Sequence, residues 1–439
     1  MTETDLRAIG DACWERFNFG RDWNRHLQGS QLIPIDEGLA YIASRGVVGN
    51  VTVVDTDDGL IVIDSGSRHT ASSIHQAIRE WSQKPIRNVI YTHGHVDHAF
   101  GTPLFDAEAE RVGEEKPEVI AQANIRRRFQ RYRDSADWNA HINGRQFKVA
   151  GFKWPQEYRY PDTFYEEEMT LERGGRRLTL HHGMGETDDH TWTWIADART
   201  VVTGDFIIWA APNAGNPQKV QRFAAEWARA LRAMAAKKPA ALVPGHGPAV
   251  FGEERVATLL DDTASFLESI HQQTLEGMNQ GHKLADIVRQ VELPEGMLDK
   301  PYLHPTYDDP EFLIRNVWRL YGGWYDGNPA HLKPAHPDDL GRAVRDLAGG
   351  ADALADAAQQ HFEQGNLRVA GHLCQFAVDA EPGHVRANQV RAAVNRARAK
   401  EETSLMAKGI FTEAANVSLR AIGEDEQSLY DGKRVGIGS

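Results

Sequence analysis

The chain has 439 residues, enough for two domains of ordinary size. Its 62 acidic and 49 basic residues give a net charge of −13, which disfavours nonspecific binding to nucleic acid or an anionic membrane. No run approaches the roughly 20 apolar residues of a transmembrane helix, and the polar amino terminus lacks the apolar core of a signal peptide. With only Cys13 and Cys374, a disulfide framework is not expected. We therefore expect a cytoplasmic protein that binds neither nucleic acid nor membrane.

The first part of the chain predicts strands and a helix that lead into a polar cluster. Residues 38–43 predict a strand, and 51–63 predict a hairpin that turns at Asp58-Gly59. The apolar spacing within 70–83 predicts a helix with one buried face, followed by a strand at 89–91. A strand, a helix and a second strand ending in polar residues are typical of an α/β active site.

The polar cluster is the segment His93-Gly-His-Val-Asp-His98, with four potential metal ligands in six residues. A tight turn after a strand lets such side chains converge without a long loop, and Gly94 lets the backbone pass close behind them. Imidazole suits zinc, and carboxylate oxygens extend the choice to manganese or iron. One histidine at a strand end is usually structural, but this number and spacing favour a metal site.

The segment 110–168 is rich in charged and aromatic residues, including five arginines between Arg126 and Arg133. One interpretation is an insertion or lid over the site. The alternative is a solvated helix with loops. The sequence leaves both open.

The later elements repeat the pattern of a short strand followed by Gly, His or Asp. The predicted elements are strands at 177–180, 191–195, 200–202 and 241–243 and a helix at 220–237. The third of these strands runs into Gly204-Asp205, and the fourth runs into Pro244-Gly-His246. This repetition fits two layers of sheet flanked by helices.

Helical periodicity dominates after residue 254. We expect a catalytic domain at 1–254, an all-α domain at 255–425 and a flexible tail at 426–439. Residues 357–399 resemble a single tetratricopeptide-like helical pair. One such pair cannot bury both of its faces, so it is expected to pack on a larger body or a second subunit.

The segment 93–98 resembles the signature of the metallo-β-lactamase superfamily. Asp64-Ser-Gly, Gly204-Asp205 and Gly245-His246-Gly match that family's other motifs in order and spacing. The resemblance implies an α+β fold, an αββα sandwich with a two-metal site, followed here by the all-α helical domain. It implies that His93 and His95 bind one metal, that Asp97, His98 and His246 bind the other, and that Asp205 bridges them.

One departure from the superfamily pattern points to a branch within it. Glu186 stands where the family usually has a histidine ligand, and it precedes Asp205 by nineteen residues. Alkyl sulfatases of the superfamily are similar in both respects. The segment 321–329 also resembles the opening of their helical dimerisation domain, which implies a homodimer. His190 and the pair His181-His182 compete with Glu186 for the ligand role, and we interpret them as structural or supporting residues.

The resemblance implies a hydrolase that uses two zinc ions, with manganese or iron as possible substitutes. The metals make hydroxide available at neutral pH. Asp97 would orient it, and Asp64 would fix the tautomer of a ligand histidine. The expected substrate is a small organic sulfate ester. The alternative is a hydrolase of carboxylic or phosphoric esters, lactones or thioesters. A protein that only binds a partner is disfavoured by the complete ligand set.

Two features separate this sequence from the alkyl sulfatases that it resembles. We expect no carboxyl-terminal lipid-carrier-like domain. Those enzymes also carry an Asn and an Arg after the bridging carboxylate, and the matching positions are Asn213 and Gln218. Lys219 is the candidate replacement for the arginine, placed near the amino terminus of the helix predicted at 220–237, where amides favour anions. Alternatives are that Lys219 is a solvated surface charge, or that Arg126–Arg133 reads the anion.

Overall fold

The computed structural model describes residues 3–15, 23–46, 48–147 and 151–424. The tail predicted at 426–439 lies outside these residues. The described residues fall into two compact units, one within 1–139 and 153–323 and the other within 140–152 and 324–435. The division at 254/255 that we expect between catalytic and helical domains stays a prediction.

The first unit contains a seven-stranded sheet whose strands are neighbours in chain order. The strands are β1 Ser30–Asp36, β2 Leu39–Ser44, β3 Val51–Thr56, β4 Gly59–Ile63, β5 Ile86–Ile90, β6 Glu118–Gln122 and β7 Thr163–Tyr165. Strands β1 to β4 pair antiparallel, and β4 to β7 pair parallel. The predicted hairpin is confirmed, although its turn is Asp57-Asp58 because Gly59 already pairs with Thr56.

A six-stranded sheet forms the second layer. Its strands are β8 Glu168–Arg173, β9 Arg176–His182, β10 Thr191–Ile195, β11 Thr200–Gly204, β12 Ala241–Pro244 and β13 Val250–Phe251. They are also neighbours in chain order, and only β11 and β12 pair parallel. Carboxyl ends of parallel neighbours lie at the same edge, so the residues after β11 and β12 are brought together.

Helices cover the outer faces of both sheets. The helices up to residue 323 are α1 Glu3–Glu15, α2 Asn24–His26, α3 Ala71–Trp81, α4 Thr102–Val112, α5 Ile125–Asp134, α6 Ala136–Phe147, α7 Ala224–Ala236, α8 Glu253–Asn279, α9 Leu284–Gln290 and α10 Pro310–Gly322. Helices α3 and α4 contact the first sheet, and α8 contacts the second. One apolar core includes Ile63 and Ile90 from the first sheet and Leu180 and Val202 from the second. The αββα sandwich is therefore confirmed.

The segment 110–168 is neither wholly an insertion nor a solvated helix. Strands β6 and β7 lie within it and complete the first sheet. Helix α5 buries Ile125, Phe129 and even Arg128. Both interpretations of this segment underestimate how much of it is core. The five arginines make the sequence of α5 look polar, although one face of this helix is buried.

The second compact unit is helical. Its elements after residue 323 are α11 Pro329–Leu332, α12 Pro337–Ala348, α13 Ala351–Glu363, α14 Leu367–Ala380, α15 Val385–Glu401 and α16 Leu405–Ala421. Small side chains such as Ala358, Ala370, Cys374 and Ala377 fill a core shared by α13, α14 and α15. The helical character predicted for this region is confirmed. In the described part of the chain, no helix combines the length and apolar character that a bilayer span requires.

Candidate metal centre

The polar residues after several strand ends come together in two adjoining groups. One group comprises His93, His95, Glu186 and Asp205, and the other comprises Asp97, His98 and His246. Within each group, one nitrogen or carboxylate oxygen from every residue lies within 4.8 Å of the others. All seven residues proposed as metal ligands from the sequence therefore converge in space.

Asp205 faces both groups. Its Oδ1 lies 3.2 Å from His98 Nε2 and 3.4 Å from His246 Nε2, and its Oδ2 lies 3.7 Å from His93 Nε2. One carboxyl oxygen is thus directed toward each group, as a bridging carboxylate requires. Within the second group, Asp97 Oδ2 lies 3.4 Å from His246 Nε2.

These residues fit divalent metal ions. His98 Nε2 and Asp205 Oδ1 are buried, and neither has a hydrogen-bond partner of acceptable geometry among the described residues. Buried polar atoms without partners are costly, so their convergence needs compensation. Imidazole nitrogens and carboxylate oxygens form a donor set that suits zinc and also admits manganese or iron.

The electrostatics of the two groups differ. Burial, followed by the neighbouring histidines, lowers the pKa of His93 well below its usual value, and burial does the same for His95. Both are therefore neutral, the form that binds metals. Burial also disfavours charge on His98, but Asp205, Asp97 and Asp64 raise its pKa well above the usual value. The second group thus attracts positive charge strongly.

Asp64 and Thr92 fix the orientation of two histidines. Asp64 Oδ2 accepts a hydrogen bond from His98 Nδ1 at 2.7 Å and another from Thr92 Oγ1 at 2.8 Å. Thr92 Oγ1 also lies 3.0 Å from His93 Nδ1. With both Nδ1 atoms engaged, the Nε2 atoms of His93 and His98 face the cluster. Asp64 has a φ of +64°, an uncommon left-handed conformation for a residue other than glycine.

A buried ion pair supports the His93-Gly94-His95 turn from behind. The N–H of Gly94 donates to Asp189 Oδ2 at 2.9 Å, and Arg128 Nε donates to Asp189 Oδ1 at 2.6 Å. A side chain on Gly94 would place its Cβ 2.8 Å from Arg128 Cδ, which explains the glycine. Sequence reasoning missed both Arg128 and Asp189. The charged runs that contain them were the available signal.

Two side chains from the loop between β11 and α7 hold Glu186. Asn213 Nδ2 donates to Glu186 Oε1. Arg222 Nη1 lies 2.7 Å from Glu186 Oε1 and donates to the Glu186 carbonyl at 2.6 Å. Burial raises the pKa of Glu186 to about 7, although the charge of Arg222 opposes this shift.

The histidines that compete with Glu186 have other contacts. His190 Nε2 accepts the backbone N–H of Asp205 at 3.1 Å, and its ring stacks on His93. His182 Nε2 lies 3.0 Å from the Asp188 carbonyl, and His181 Nδ1 lies 3.0 Å from the carboxylate of Glu168. None of the three belongs to either group of converging ligand atoms in the described residues.

The structure corrects the sequence interpretation of Lys219. Helix α7 begins at Ala224 rather than at 220: Phe223 is not helical, with a φ of −128° and a ψ of 75°, and its N–H donates to the Gly185 carbonyl. Lys219 therefore does not lie at a helix amino terminus. Lys219 is half-buried, and its Nζ lies 5.7 Å from the centroid of the Trp154 ring. Burial, and next the charge of Arg222, lowers the pKa of Lys219 to about 7.

Comparison with known proteins gives two family matches. Residues 44–246 match the metallo-beta-lactamase superfamily, and residues 283–420 match the alkyl sulfatase dimerisation family. In its first part the chain is therefore similar to the metallo-β-lactamase superfamily, and in its later part to the dimerisation region of alkyl sulfatases.

Three curated relatives are sulfatases. A linear primary-alkylsulfatase of Pseudomonas sp. is 24% identical over 77% of this chain, and an alkyl/aryl-sulfatase of Saccharomyces cerevisiae is 25% identical over 79%. An (R)-specific secondary-alkylsulfatase of Pseudomonas sp. is 27% identical over 78%. This chain spans 68%, 58% and 56% of the lengths of these enzymes, respectively.

A solved structure shares the fold over nearly the whole chain. It is the stereoselective inverting sec-alkylsulfatase Pisa1 from Pseudomonas sp., which is 23% identical with a TM-score of 0.79. The match covers 92% of this chain and 67% of that enzyme.

Proposed function

We propose that this protein is a metal-dependent hydrolase that cleaves small organic sulfate esters into an alcohol and inorganic sulfate. The observation that carries the proposal is the ligand set with Glu186 in place of the usual histidine, converging with Asp205 and the five other donors. The similarity to alkylsulfatases over more than three quarters of the chain supports the same activity.

We propose two zinc ions as the cofactor, with manganese or iron as possible substitutes. One ion would be held by His93, His95 and Glu186, the other by Asp97, His98 and His246, and Asp205 would bridge them. When bound, two divalent cations make hydroxide available at neutral pH and neutralise negative charge on the ester. The donors assigned to each ion are those that the fold already brings within 4.8 Å of one another.

The proposed catalytic residues are Asp97 and Asp205. The Asp97 side chain is 27% exposed and the Asp205 side chain is 7% exposed. Asp97 is thus the carboxylate that water and substrate can approach, and we assign it the orientation of the attacking water. Asp205 is assigned the bridge. Asp64 serves the same reaction indirectly, because it fixes His98 through Nδ1.

The sulfate group requires positive charge beyond the metals. Gln218 cannot supply it, so we assign the anion contact to Lys219, which lies on the same loop as Asn213. Arg222 forms an ion pair with Glu186, and Arg128 forms ion pairs with Asp188 and Asp189. In the Arg126–Arg133 segment, Arg131 is the residue whose charge contributes to the lowered pKa of Lys219.

The alternative activity remains on carboxylic or phosphoric esters, lactones or thioesters. The observation that favours it is Gln218, which removes a positive charge that alkyl sulfatases place near the anion. The test is a panel of sulfate, phosphate and carboxylate esters of one primary alcohol, with metal-loaded wild-type protein and Asp205→Asn as the control. We expect the sulfate ester to be turned over fastest. Turnover of only the other esters would replace the proposal by the alternative.

We propose a homodimer formed through the dimerisation region. Residues 283–420 match that family, and large apolar side chains in this range are exposed, including Tyr321 at 51%, Trp324 at 69% and Leu347 at 90%. Light scattering is expected to give twice the 49.0 kDa mass of the chain. A particle of 49.0 kDa at micromolar concentration would reject the dimer. The cytoplasmic location expected from the sequence stays a prediction.

A further inference from the structure

The loop between β11 and α7 carries Asn213 and Lys219, and a distant carboxylate holds it. Asp308 is completely buried. Its Oδ2 accepts the backbone N–H of Gly215 at 2.6 Å, and its Oδ1 accepts the backbone N–H of Asp309 at 2.9 Å. Two backbone amides thus satisfy both carboxyl oxygens, as a buried carboxylate requires.

The loop backbone lies directly against the start of α10 at this point. A Cβ added to Gly215 would lie 2.3 Å from the backbone N of Leu313 and 2.3 Å from the carbonyl carbon of Phe312. Only glycine permits such an approach. The Ala211 N–H donates to the His304 carbonyl at 3.0 Å, so the loop is attached at a second position.

The far end of the same loop is also attached to α10. Asn316 Nδ2 donates to the Arg222 carbonyl at 3.0 Å, and Gln221 Nε2 donates to the Asn316 carbonyl at 3.0 Å. The segment 304–316 therefore supports the loop at its beginning, middle and end.

Asp308 is not needed to cap α10. The residue at the helix cap is Asp309, whose Oδ1 accepts the Glu311 N–H at 2.8 Å. The carboxylate of Asp308 is directed instead at Gly215, two residues beyond Asn213. Asn213 donates to Glu186, so Asp308 is connected through Gly215 and Asn213 to a proposed metal ligand.

We propose that Asp308 is a positioning residue for the loop between β11 and α7. It keeps this loop, with Asn213 and Lys219, in place through Gly215. Asp308 lies outside the metallo-beta-lactamase match and inside the dimerisation match, yet in the compact unit that contains the site. The leading part of the dimerisation region is therefore part of the catalytic apparatus. The inference rests on the proposed function for the roles of Asn213 and Lys219.

The test compares Asp308→Asn with Asp309→Asn in the full-length, metal-loaded protein. Both substitutions replace a carboxyl group by an amide in the same turn, but only the first replaces an acceptor of two amides by one acceptor and an NH₂ group. Asn caps helices as well as Asp does, which makes Asp309→Asn the matched control. The readouts are hydrogen exchange of peptides covering 211–216 and the KM and kcat for an organic sulfate.

For Asp308→Asn we expect exchange at 211–216 at least tenfold faster than in the wild type and KM at least fivefold higher, with kcat changed less than KM. For Asp309→Asn we expect both quantities within twofold of the wild type. If Asp308→Asn does not fold, hydrogen exchange of the wild-type protein still tests the proposal. Fast exchange of the Gly215 amide, which donates to Asp308, would overturn it.

Two other results would overturn it. One is equal exchange at 211–216 in the two variants. The other is faster exchange in Asp308→Asn with an unchanged KM, because Asp308 would then hold a loop that does not serve the substrate. Failure of the proposed function is separate, since it would appear as a wild-type protein that hydrolyses no sulfate ester whatever the exchange rates are.

Discussion

The proposed active site has two sides that are built in different ways. The ligand side consists of the seven proposed metal ligands, and the anion side is the loop between β11 and α7 with Asn213 and Lys219. On the ligand side, the donors lie in short segments that follow strand ends: the segment with His93 follows β5, and Asp205 comes directly after β11. On the anion side, an irregular loop carries the side chains. Its supports, Asp308 and Asn316, come 93 to 95 residues later than their partners in the loop.

This difference affects what can change between relatives. Ligands at strand ends are positioned by the sheets, so substitution there disturbs the whole site. The loop between β11 and α7 is positioned by hydrogen bonds to its backbone, such as those of Gly215 and Arg222. Its side chains can change without moving it. The presence of Gln218 where alkyl sulfatases carry arginine is consistent with that freedom.

The largest expected effect is on the ligand side. Asp205→Asn removes the negative charge that faces both ligand groups, so we expect kcat to fall by about a thousandfold or more. The variant should still fold, because Asp205 lies after the end of β11 and outside the apolar core that the two sheets share. Steady-state kinetics and thermal unfolding check both parts. A variant with near wild-type turnover would contradict the bridging role.

A smaller effect is expected for the support behind the His93-Gly94-His95 turn. Asp189→Asn leaves only one acceptor for Gly94 N–H and Arg128, so we expect metal affinity to fall about 10- to 100-fold. Activity at saturating metal should be mostly retained. The control is Asp188→Asn, at a neighbouring carboxylate that also pairs with Arg128 but does not contact Gly94. Competition with a chelator measures both, and equal affinities would contradict the assignment.

On the anion side, Lys219→Ala should act on binding. We expect KM for anionic esters to rise about tenfold, roughly 1.4 kcal/mol of lost binding, and neutral esters to be almost unaffected. The comparison of a sulfate ester with a carboxylate ester of the same alcohol makes this measurement. Equal effects on both esters would mean that another group reads the anion, with Arg131 the nearest candidate.

The smallest expected effect is a pH dependence. The pKa of Lys219 is lowered to about 7, so its charge is present below pH 7 and is lost as the pH rises through 7. For the wild type, kcat/KM on a sulfate ester should therefore decline above pH 7, relative to Lys219→Arg, by up to about tenfold. Arginine stays charged throughout this range. Parallel pH profiles for the two proteins would contradict the role of the Lys219 charge.

The same shift has a consequence for stability, with the opposite sign. The folded-state pKa of Lys219 lies below its usual value, so the unfolded chain binds more protons between about pH 7 and the usual lysine pKa near 10.5. This residue therefore contributes a free energy of unfolding that increases with pH across that interval. Below pH 7 its burial is an unfavourable term.

Much of the ligand side could be predicted from the sequence. Strand ends and ligand spacing are local patterns, and the spacing of nineteen positions from Glu186 to Asp205 was enough to suggest a branch of the superfamily. The αββα fold followed from the same motifs. The predicted boundaries of helices and strands were less accurate, as the turn at Asp57-Asp58 and the start of α7 at Ala224 illustrate.

The remaining features depend on contacts between distant residues. Nothing near Arg128 in sequence reveals that Asp189 neutralises it, so its segment was interpreted as a lid or a solvated helix. Phe223, the residue before α7, is not helical and donates its N–H to Gly185, 38 positions earlier, a contact that local propensity cannot anticipate. The role of Asp308 depends likewise on the fold that brings α10 to Gly215.

We propose that the seven converging residues hold two metal ions that hydrolysis requires. Elemental analysis of purified protein, with turnover of an organic sulfate measured on the same sample, tests this proposal. We predict two equivalents of metal per chain, loss of both metal and turnover with a chelator, and recovery of both with zinc or manganese. Full turnover by protein that contains only trace metal would contradict the account.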